Sequence, residues 1–233
     1  MNCDTSAIIV CAGNSTRMGG VNKQLLSLGS STVVGMSMSK LQRCPSVKEI
    51  IVVARVQDIT TFEGISKELN ISKLKDIVVG GRTRQESVSN GIESVSKDTK
   101  YITIHDGARP LVEVEDIEKS IADARTHGGA TLGVPVKDTI KVVKDGFIVD
   151  TPNRETLYIT QTPQTFDKSL YLKGLHYALQ NGLNFTDDCQ LMESIGCRVF
   201  MTVGKYSNIK ITTPEDISVA ENILKGSTKQ CLE

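Results

Sequence analysis

The chain has 233 residues, enough for one large α/β domain or two small ones, and we expect one. Lysine plus arginine (27) equals aspartate plus glutamate (27), which excludes a net field that would draw the protein to nucleic acid or an anionic membrane. The six cysteines form no Cys-x-x-Cys pair and no metal-binding cluster with histidine, and no apolar run reaches membrane-spanning length. Because the first residues also lack the basic start of a secretory signal, we expect reduced thiols and a cytoplasmic location.

Short β-branched segments alternate with helical patterns through the first half of the chain. Residues 7–10, 49–54, 76–79 and 101–104 are predicted strands, each followed by a loop and a candidate helix. This alternation is typical of an α/β fold with a mainly parallel twisted sheet and helices on both faces. Ligands in such folds bind at the carboxyl ends of the strands.

Turn and cap signals divide the rest of the chain. Thr83 and Glu86 have the spacing of a capping box, which predicts a helix after the Gly80-Gly81 pair. Residues 138–151 predict a β-hairpin that turns at Asp145-Gly146 and projects from the βα pattern. Predicted helices at 167–181 and 187–195, a strand at 198–203 and a closing helix from Pro214 follow.

A glycine-rich segment begins where the first predicted strand ends. Residues 11–20 read CAGNSTRMGG and residues 21–24 read VNKQ. Small residues let backbone N–H groups approach a phosphate or a base, and Arg17 and Lys23 add cationic donors for a polyphosphate. The segment is neither a Walker loop nor a G-x-G-x-x-G fingerprint, so an ordinary glycine-rich surface turn remains an equal alternative.

The segment HDGARP at residues 105–110 follows the fourth predicted strand and reaches the same sheet edge. Asp106 could hold Mg²⁺ or a substrate hydroxyl, because hard oxygen ligands suit this ion. Taken alone, the segment favours a structural pair between Asp106 and Arg109, and a packed rather than catalytic His105. Lys210 precedes the closing helix and is a solvated charge unless the fold returns it to the first loop.

Seven blocks, in this order, resemble the 2-C-methyl-D-erythritol 4-phosphate cytidylyltransferases of the non-mevalonate isoprenoid pathway. The blocks are AGNSTRMGG with NKQ, GGRTRQESVSNGI, HDGARPLV, VPVKDTIKVV, QTPQTF, TDDCQLMESIG and NIKITTPEDI. The resemblance implies a single Rossmann-like nucleotidyltransferase domain over residues 1–233. Its implied reaction is Mg²⁺-dependent transfer of CMP from CTP to the methylerythritol phosphate, by in-line attack of the acceptor phosphate, with release of pyrophosphate. Cys11 and Arg82 depart from the pattern, since alanine-like and acidic residues occur in relatives at those positions.

The resemblance also implies roles for individual residues. The cytosine and ribose would lie among Cys11, Ala12, Gly13, Gly81 and Ser87. The catalytic cations around the triphosphate would be Arg17, Lys23 and Lys210. The acceptor would be met by Asp106, Arg109, Thr139 and Thr186, with Asp106 also a candidate Mg²⁺ ligand. The hairpin, as a dimerisation arm over residues 138–156, would exchange between two subunits and carry Arg154 to the partner's site.

Two other functions remain open at this point. A ribitol 5-phosphate cytidylyltransferase would share the first loop, the HD-x-x-RP form and the NIKITTP ending, although VPVKDTIK favours methylerythritol phosphate. A non-catalytic nucleotide-binding regulator would be expected to lose a phosphate-facing cation, whereas Arg17, Lys23 and Lys210 are all present.

Overall fold

The computed structural model describes residues 3–13 and 22–230, with side chains described as far as residue 226. The strands are β1 (Thr5–Val10), β2 (Ser27–Leu28), β3 (Ser31–Thr32), β4 (Val47–Ala54), β5 (Leu74–Val79), β6 (Tyr101–Asp106), β7 (Gly129–Pro135), β8 (Val142–Lys144), β9 (Phe147–Asp150), β10 (Tyr158–Asp167) and β11 (Phe200–Val203). The α-helices are α1 (Val33–Arg43), α2 (Ile59–Glu68), α3 (Arg84–Glu93), α4 (Val114–His127), α5 (Lys168–Gln180), α6 (Asp188–Glu193) and α7 (Pro214–Gln230).

Seven of these strands form one sheet in the order β11-β7-β10-β6-β1-β4-β5. The sheet is mainly parallel, as predicted, because only β10 runs against its neighbours β6 and β7. The four strands predicted in the first half are β1, β4, β5 and β6. Their carboxyl ends therefore meet at one edge, where the loops after β1, β5 and β6 come together.

Both faces of the sheet are covered, because successive side chains of a strand point to opposite sides. Along β1, Ala7 and Ile9 join the core beneath α1, α2 and α4, whereas Ile8 joins the core beneath α3 and α5. In β4, Val52 joins the first of these cores and Val53 joins the second. All of these residues are fully buried, so the sheet is a rigid support for the loops at its edge.

The predicted capping signals are formed, with one difference at α3. Thr83 Oγ1 accepts from the main-chain nitrogen of Glu86 at 3.1 Å, as a capping box requires. Glu86 Oε2, however, accepts from the nitrogen of Arg82 at 2.7 Å and not from that of Thr83. The Glu86 side chain therefore holds the main chain at Arg82, one residue before the N-cap Thr83.

The predicted hairpin is present as β8 and β9. Its turn residues Asp145 and Gly146 have φ values of 50° and 83°, as a type I′ turn demands. Phe147 is 76% exposed and Ile148 is 64% exposed, so the chain by itself leaves apolar side chains of the hairpin in contact with water.

A buried acidic network ties the start of β1 to β4. Glu49 Oε1 accepts from the Ser6 hydroxyl at 2.6 Å and from the Ser96 main-chain nitrogen at 2.7 Å. Burial alone would raise the pKa of Glu49, but these hydrogen bonds and the nearby Lys75 lower it to about 2. The carboxylate is therefore stabilised in its ionised form.

Two further findings bear on the expectations from composition. The cysteines of the described residues, which exclude Cys231, are free thiols. Among the described helices, none has both the length and the apolar character needed to cross a membrane.

Candidate active site

A cleft of about 360 Å³ opens at the carboxyl edge of β1, β5 and β6. Ala12 and Gly13 after β1 form one wall, and residues 81–84 after β5 form another. Asp106 and Ala108 after β6, together with Lys23 and Lys210, complete the lining. The cleft therefore occupies the position at which open α/β sheets bind their ligands.

Two glycines allow close packing of the loop after β5, Gly80 against the first loop and Gly81 against α3. A side-chain carbon at Gly80 would collide with Cβ of Ala12, and one at Gly81 would collide with Cβ of Glu86. Ser87 Oγ accepts from the nitrogen of Gly81 at 3.0 Å and donates to the carbonyl of Thr83 at 2.9 Å. This end of the cleft is therefore built mainly from backbone groups that a ligand can approach closely.

Asp106 carries the negative charge at the centre of the site. Its Oδ2 lies 2.6 Å from Lys210 Nζ, and its Oδ1 lies 3.7 Å from Arg84 Nη2. Burial alone would raise the pKa of Asp106, but Lys210 and Arg84 hold it well below its usual range. Asp106 is therefore an ionised carboxylate shared by two cations.

The expected structural pair between Asp106 and Arg109 is not formed. The ion pairs of Asp106 in the described residues are with Lys210 and Arg84. The Arg109 guanidinium instead donates to the carbonyls of Asn208, at 2.8 Å, and Thr160, at 3.4 Å. Arg109 is thus held by the reversed strand β10 and by the segment before α7, whose positions the sequence did not indicate, and this explains the difference.

The fold brings Lys210 into the same cleft as Ala12, Gly13 and Lys23, which was the condition for giving it a role. The nitrogen of Ile211 donates to the carbonyl of Ala108 at 2.8 Å, and Asn208 Nδ2 donates to the carbonyl of Thr162 at 3.0 Å. These bonds fasten the segment before α7 alongside the end of β6 and the middle of β10. Lys210 thereby reaches the cleft across about a hundred residues of intervening sequence from Asp106.

His105 is fully buried beneath the site, in agreement with its interpretation as a packed histidine. Its Nε2 lies 3.1 Å from the carbonyl of Arg109, and its Nδ1 lies 3.1 Å from Thr162 Oγ1. Burial lowers the pKa of His105 to about 4. Both ring nitrogens are thus occupied by structural hydrogen bonds, and the neutral ring has no exposed edge for catalysis.

A second cavity of about 160 Å³ adjoins the first. It shares Arg84, Asp106 and Lys210 with the larger cleft and adds Arg109 and Thr186. Three of the residues expected to meet the acceptor, namely Asp106, Arg109 and Thr186, are thus brought together. The two cavities form one site with two compartments separated by charged side chains.

Two other expected acceptor residues, Thr139 and Arg154, line neither cavity of this chain. Arg154 Nη1 instead donates to the carbonyl of Lys137 at 2.8 Å, at the base of the hairpin.

The residues expected to bind the nucleotide divide into two groups. Ala12, Gly13, Gly81 and Ser87 line the larger cleft. The side chain of Cys11 is buried in the core and packs where a side chain on Gly107 would otherwise lie, so it does not form part of the cleft wall. Burial raises the pKa of Cys11, which keeps the thiol neutral. The expected catalytic residue Arg17 lies outside the described residues.

Arg84 is a site residue that the sequence reasoning missed. It lines both cavities, and its guanidinium lies between the carboxylates of Asp106 and Asp188. Its position in the block GGRTRQES, at the first turn of α3 after the glycine pair, was the available signal. The spacing alone could not show that its side chain points toward Asp106, because that carboxylate belongs to another strand.

The fold and the site together define an α/β nucleotidyltransferase, with a basic cleft at the carboxyl edge of a mainly parallel sheet. The chain matches the family model of the 2-C-methyl-D-erythritol 4-phosphate cytidylyltransferases over residues 5–226, and it belongs to this family. The resemblance of the seven sequence blocks is thereby confirmed, and the chain is an enzyme of the nucleotidyltransferase class.

Individual relatives are similar over nearly their whole length. A 2-C-methyl-D-erythritol 4-phosphate cytidylyltransferase from Caldanaerobacter subterraneus is 46% identical over 226 residues, which cover 95% of this chain and 99% of the relative. One from Clostridium tetani is 44% identical and covers 96% of this chain and 90% of its own. The crystal structure of 4-diphosphocytidyl-2C-methyl-D-erythritol synthase from Anaerococcus prevotii superposes with a TM-score of 0.85 at 32% identity, covering 95% and 98% of the two chains.

Proposed function

We propose that this chain transfers CMP from CTP to 2-C-methyl-D-erythritol 4-phosphate, forming 4-diphosphocytidyl-2-C-methyl-D-erythritol and pyrophosphate. The observation that carries the proposal is the pair of adjoining cavities that share Arg84, Asp106 and Lys210. The larger one offers backbone groups and lysines to a nucleotide, and the smaller one offers Arg109 and Thr186 to a polar phosphate ester. A group passing from one ligand to the other would cross the charged boundary between them.

The chemical step follows from this arrangement. A phosphate oxygen of the acceptor attacks the α-phosphorus of CTP, a new P–O bond forms, and the bond to the bridging oxygen breaks so that pyrophosphate leaves with its electron pair. The acceptor phosphate is already ionised, so no general base is required. Catalysis then rests on positioning and on stabilising negative charge, for which Lys23 and Lys210 are the two predicted catalytic cations that the structure describes. Arg17 remains a predicted third cation.

We also propose that the reaction uses Mg²⁺. Asp106 is the one carboxylate among the described residues that line the larger cleft. The described part of the chain contains no group of three or more His, Cys, Asp or Glu side chains that could hold a metal ion. This donor set fits Mg²⁺, because the ion takes one or two protein carboxylates and leaves its other positions to substrate phosphates and water. When bound, it would neutralise charge on the phosphate oxygens.

A homodimer is proposed from the hairpin at residues 138–156. Val143, Phe147, Ile148 and Val149 are each more than half exposed, and a two-stranded hairpin is only marginally stable alone. A second copy of the chain would cover this surface, and family resemblance supports that choice over another partner. In such a dimer, Arg154 and Thr139 would complete the acceptor compartment of the neighbouring subunit. A cytoplasmic location stays a prediction.

The test is a coupled assay of pyrophosphate release with four nucleoside triphosphates and two acceptors, methylerythritol phosphate and ribitol 5-phosphate. We expect release only with CTP and methylerythritol phosphate. Release with ribitol 5-phosphate alone would support the second cytidylyltransferase. Tight CTP binding by calorimetry without release with either acceptor would support a regulator and refute the proposed reaction.

A further inference from the structure

Arg84 stands between two buried carboxylates at the boundary of the two cavities. Its Nη1 donates to Asp188 Oδ2, and its Nη2 lies 3.7 Å from Asp106 Oδ1. Asp188 is only 3% exposed and is itself held by the hydroxyl of Tyr171, which donates to Oδ1 at 2.6 Å. The guanidinium is thus held by residues of α5 and α6.

Lys210 is held differently. Its Nζ lies 2.6 Å from Asp106 Oδ2, and its side chain is 41% exposed in the open site. A lysine on a flexible stem can exchange one anionic partner for another, whereas a planar guanidinium between two carboxylates keeps its geometry. Lys210 therefore has the freedom to turn to a phosphate, whereas Arg84 is held between two carboxylates.

A movement of Lys210 from Asp106 to a phosphate has an electrostatic requirement. Asp106 is only 8% exposed, and a buried carboxylate that loses its partner is strongly destabilised. If Lys210 turns from Asp106 to a phosphate, the Asp106 carboxylate keeps a side-chain partner only if a second cationic residue stays close to it, whether or not Mg²⁺ is also bound. Among the described residues, Arg84 is the other one that forms an ion pair with it.

We propose that Arg84 is a positioning residue for the transfer reaction: it keeps the Asp106 carboxylate in place when Lys210 turns to the phosphate. Asp188 serves this arrangement by holding the guanidinium. The inference rests on the proposed function, since it assigns Arg84 to the same reaction. It does not require Arg84 to bind either substrate.

The test compares Arg84→Ala, Arg84→Lys and Asp188→Asn with the wild-type enzyme, by steady-state pyrophosphate release and thermal unfolding. We expect Arg84→Ala to lower kcat by about 10- to 100-fold, because small displacements at a reacting centre have effects of this size. KM for CTP should stay within about threefold, and Arg84→Lys should recover part of kcat. Asp188→Asn should lower kcat less than Arg84→Ala.

The double variant Arg84→Ala/Asp188→Asn separates positioning from folding. Arg84→Ala leaves Asp188 as an unpaired buried carboxylate and should lower Tm, whereas the added Asp188→Asn removes that charge and should restore Tm. The value of kcat should stay at that of Arg84→Ala, because Asp188 acts through Arg84 and the two effects are not additive. Recovery of kcat together with Tm would overturn the positioning role and leave a folding role.

Arg125→Ala is the matched control. Arg125 Nη2 lies 2.6 Å from Asp4 Oδ1, and its side chain is 26% exposed, against 25% for Arg84. It lies outside both cavities, so its removal should lower Tm without changing kcat. The proposal is overturned if Arg84→Ala keeps kcat within about threefold of wild type, or if only KM for CTP rises, which would indicate direct nucleotide binding. An inactive wild-type enzyme would instead refute the proposed function.

Discussion

Replacing Lys210 with alanine tests the electrostatic reasoning most directly. The change removes the ammonium group that lies 2.6 Å from Asp106 and lines both cavities. If Lys210 stabilises charge developing on the transferred phosphoryl group, its loss should lower kcat by about 10²–10³, or about 2.7–4 kcal/mol in the barrier, as for the loss of one oxyanion-hole donor. The assay is pyrophosphate release at saturating CTP and acceptor.

Stability should change far less than activity. Lys210 is 41% exposed, so its pair with Asp106 is screened by water, and Arg84 still faces the carboxylate after the substitution. We expect a loss of at most about 1 kcal/mol, or about 2–4 °C in Tm for a chain of this size. Thermal unfolding measures this directly.

Lys205→Ala is the control, since Lys205 is an exposed lysine of the same segment that lines neither cavity. It should retain the kcat and Tm of wild type. A catalytic role for Lys210 is refuted if Lys210→Ala keeps kcat within about threefold of wild type. A drop in Tm above about 10 °C that accounts for the lost activity would make Lys210 a structural residue.

Three further outcomes follow from the charges and the hairpin. Asp106→Asn should fold but lower kcat/KM for the acceptor about 10- to 100-fold or shift the Mg²⁺ dependence. The reason is that the loss of a charged hydrogen-bonding group costs about 1.5–3 kcal/mol. Unaltered titrations with acceptor and with Mg²⁺ would make Asp106 a structural residue. Mixing inactive Arg154→Ala with inactive Lys210→Ala should restore up to roughly a quarter of wild-type activity, because half of the dimers would be mixed and each would hold one intact site. No recovery after verified subunit exchange would contradict the exchanged hairpin. The pKa of Glu49 is lowered from 4.5 to about 2, so its contribution to stability is present above pH 4.5 and lost as pH falls toward 2. The free energies of unfolding of wild type and Glu49→Gln, measured in urea, should therefore converge over this pH range. A constant difference between them would refute the assignment.

Much of the local structure could be predicted from the sequence. The β-branched segments correspond to β1, β4, β5 and β6, the Asp145-Gly146 turn is formed, and α7 starts at Pro214. These features depend on residues near one another in the chain, whose preferences for strands, turns and helix starts act locally.

Two strands of the sheet were not predicted. Gln161, Thr162, Gln164 and Thr165 of β10 are buried although they are polar, so the strand lacks the apolar pattern by which buried strands are recognised. In β7, glycine and threonine interrupt the apolar residues. Pairing with neighbouring strands satisfies their backbone groups, and that pairing is a property of the whole sheet.

At the site, the chemical groups that are available could be read from the sequence: a glycine-rich loop, the lysines at 23 and 210, and the carboxylate of Asp106. Which of these groups meet depends on the folded chain. Asp106 pairs with Lys210 and Arg84 rather than with nearby Arg109, because β10 and the segment before α7 present the carbonyls of Thr160 and Asn208 to the guanidinium of Arg109. The physical reason is that strand order, set by burial on both faces of the sheet, places side chains from distant segments at one edge, and spacing along the chain carries no record of that order.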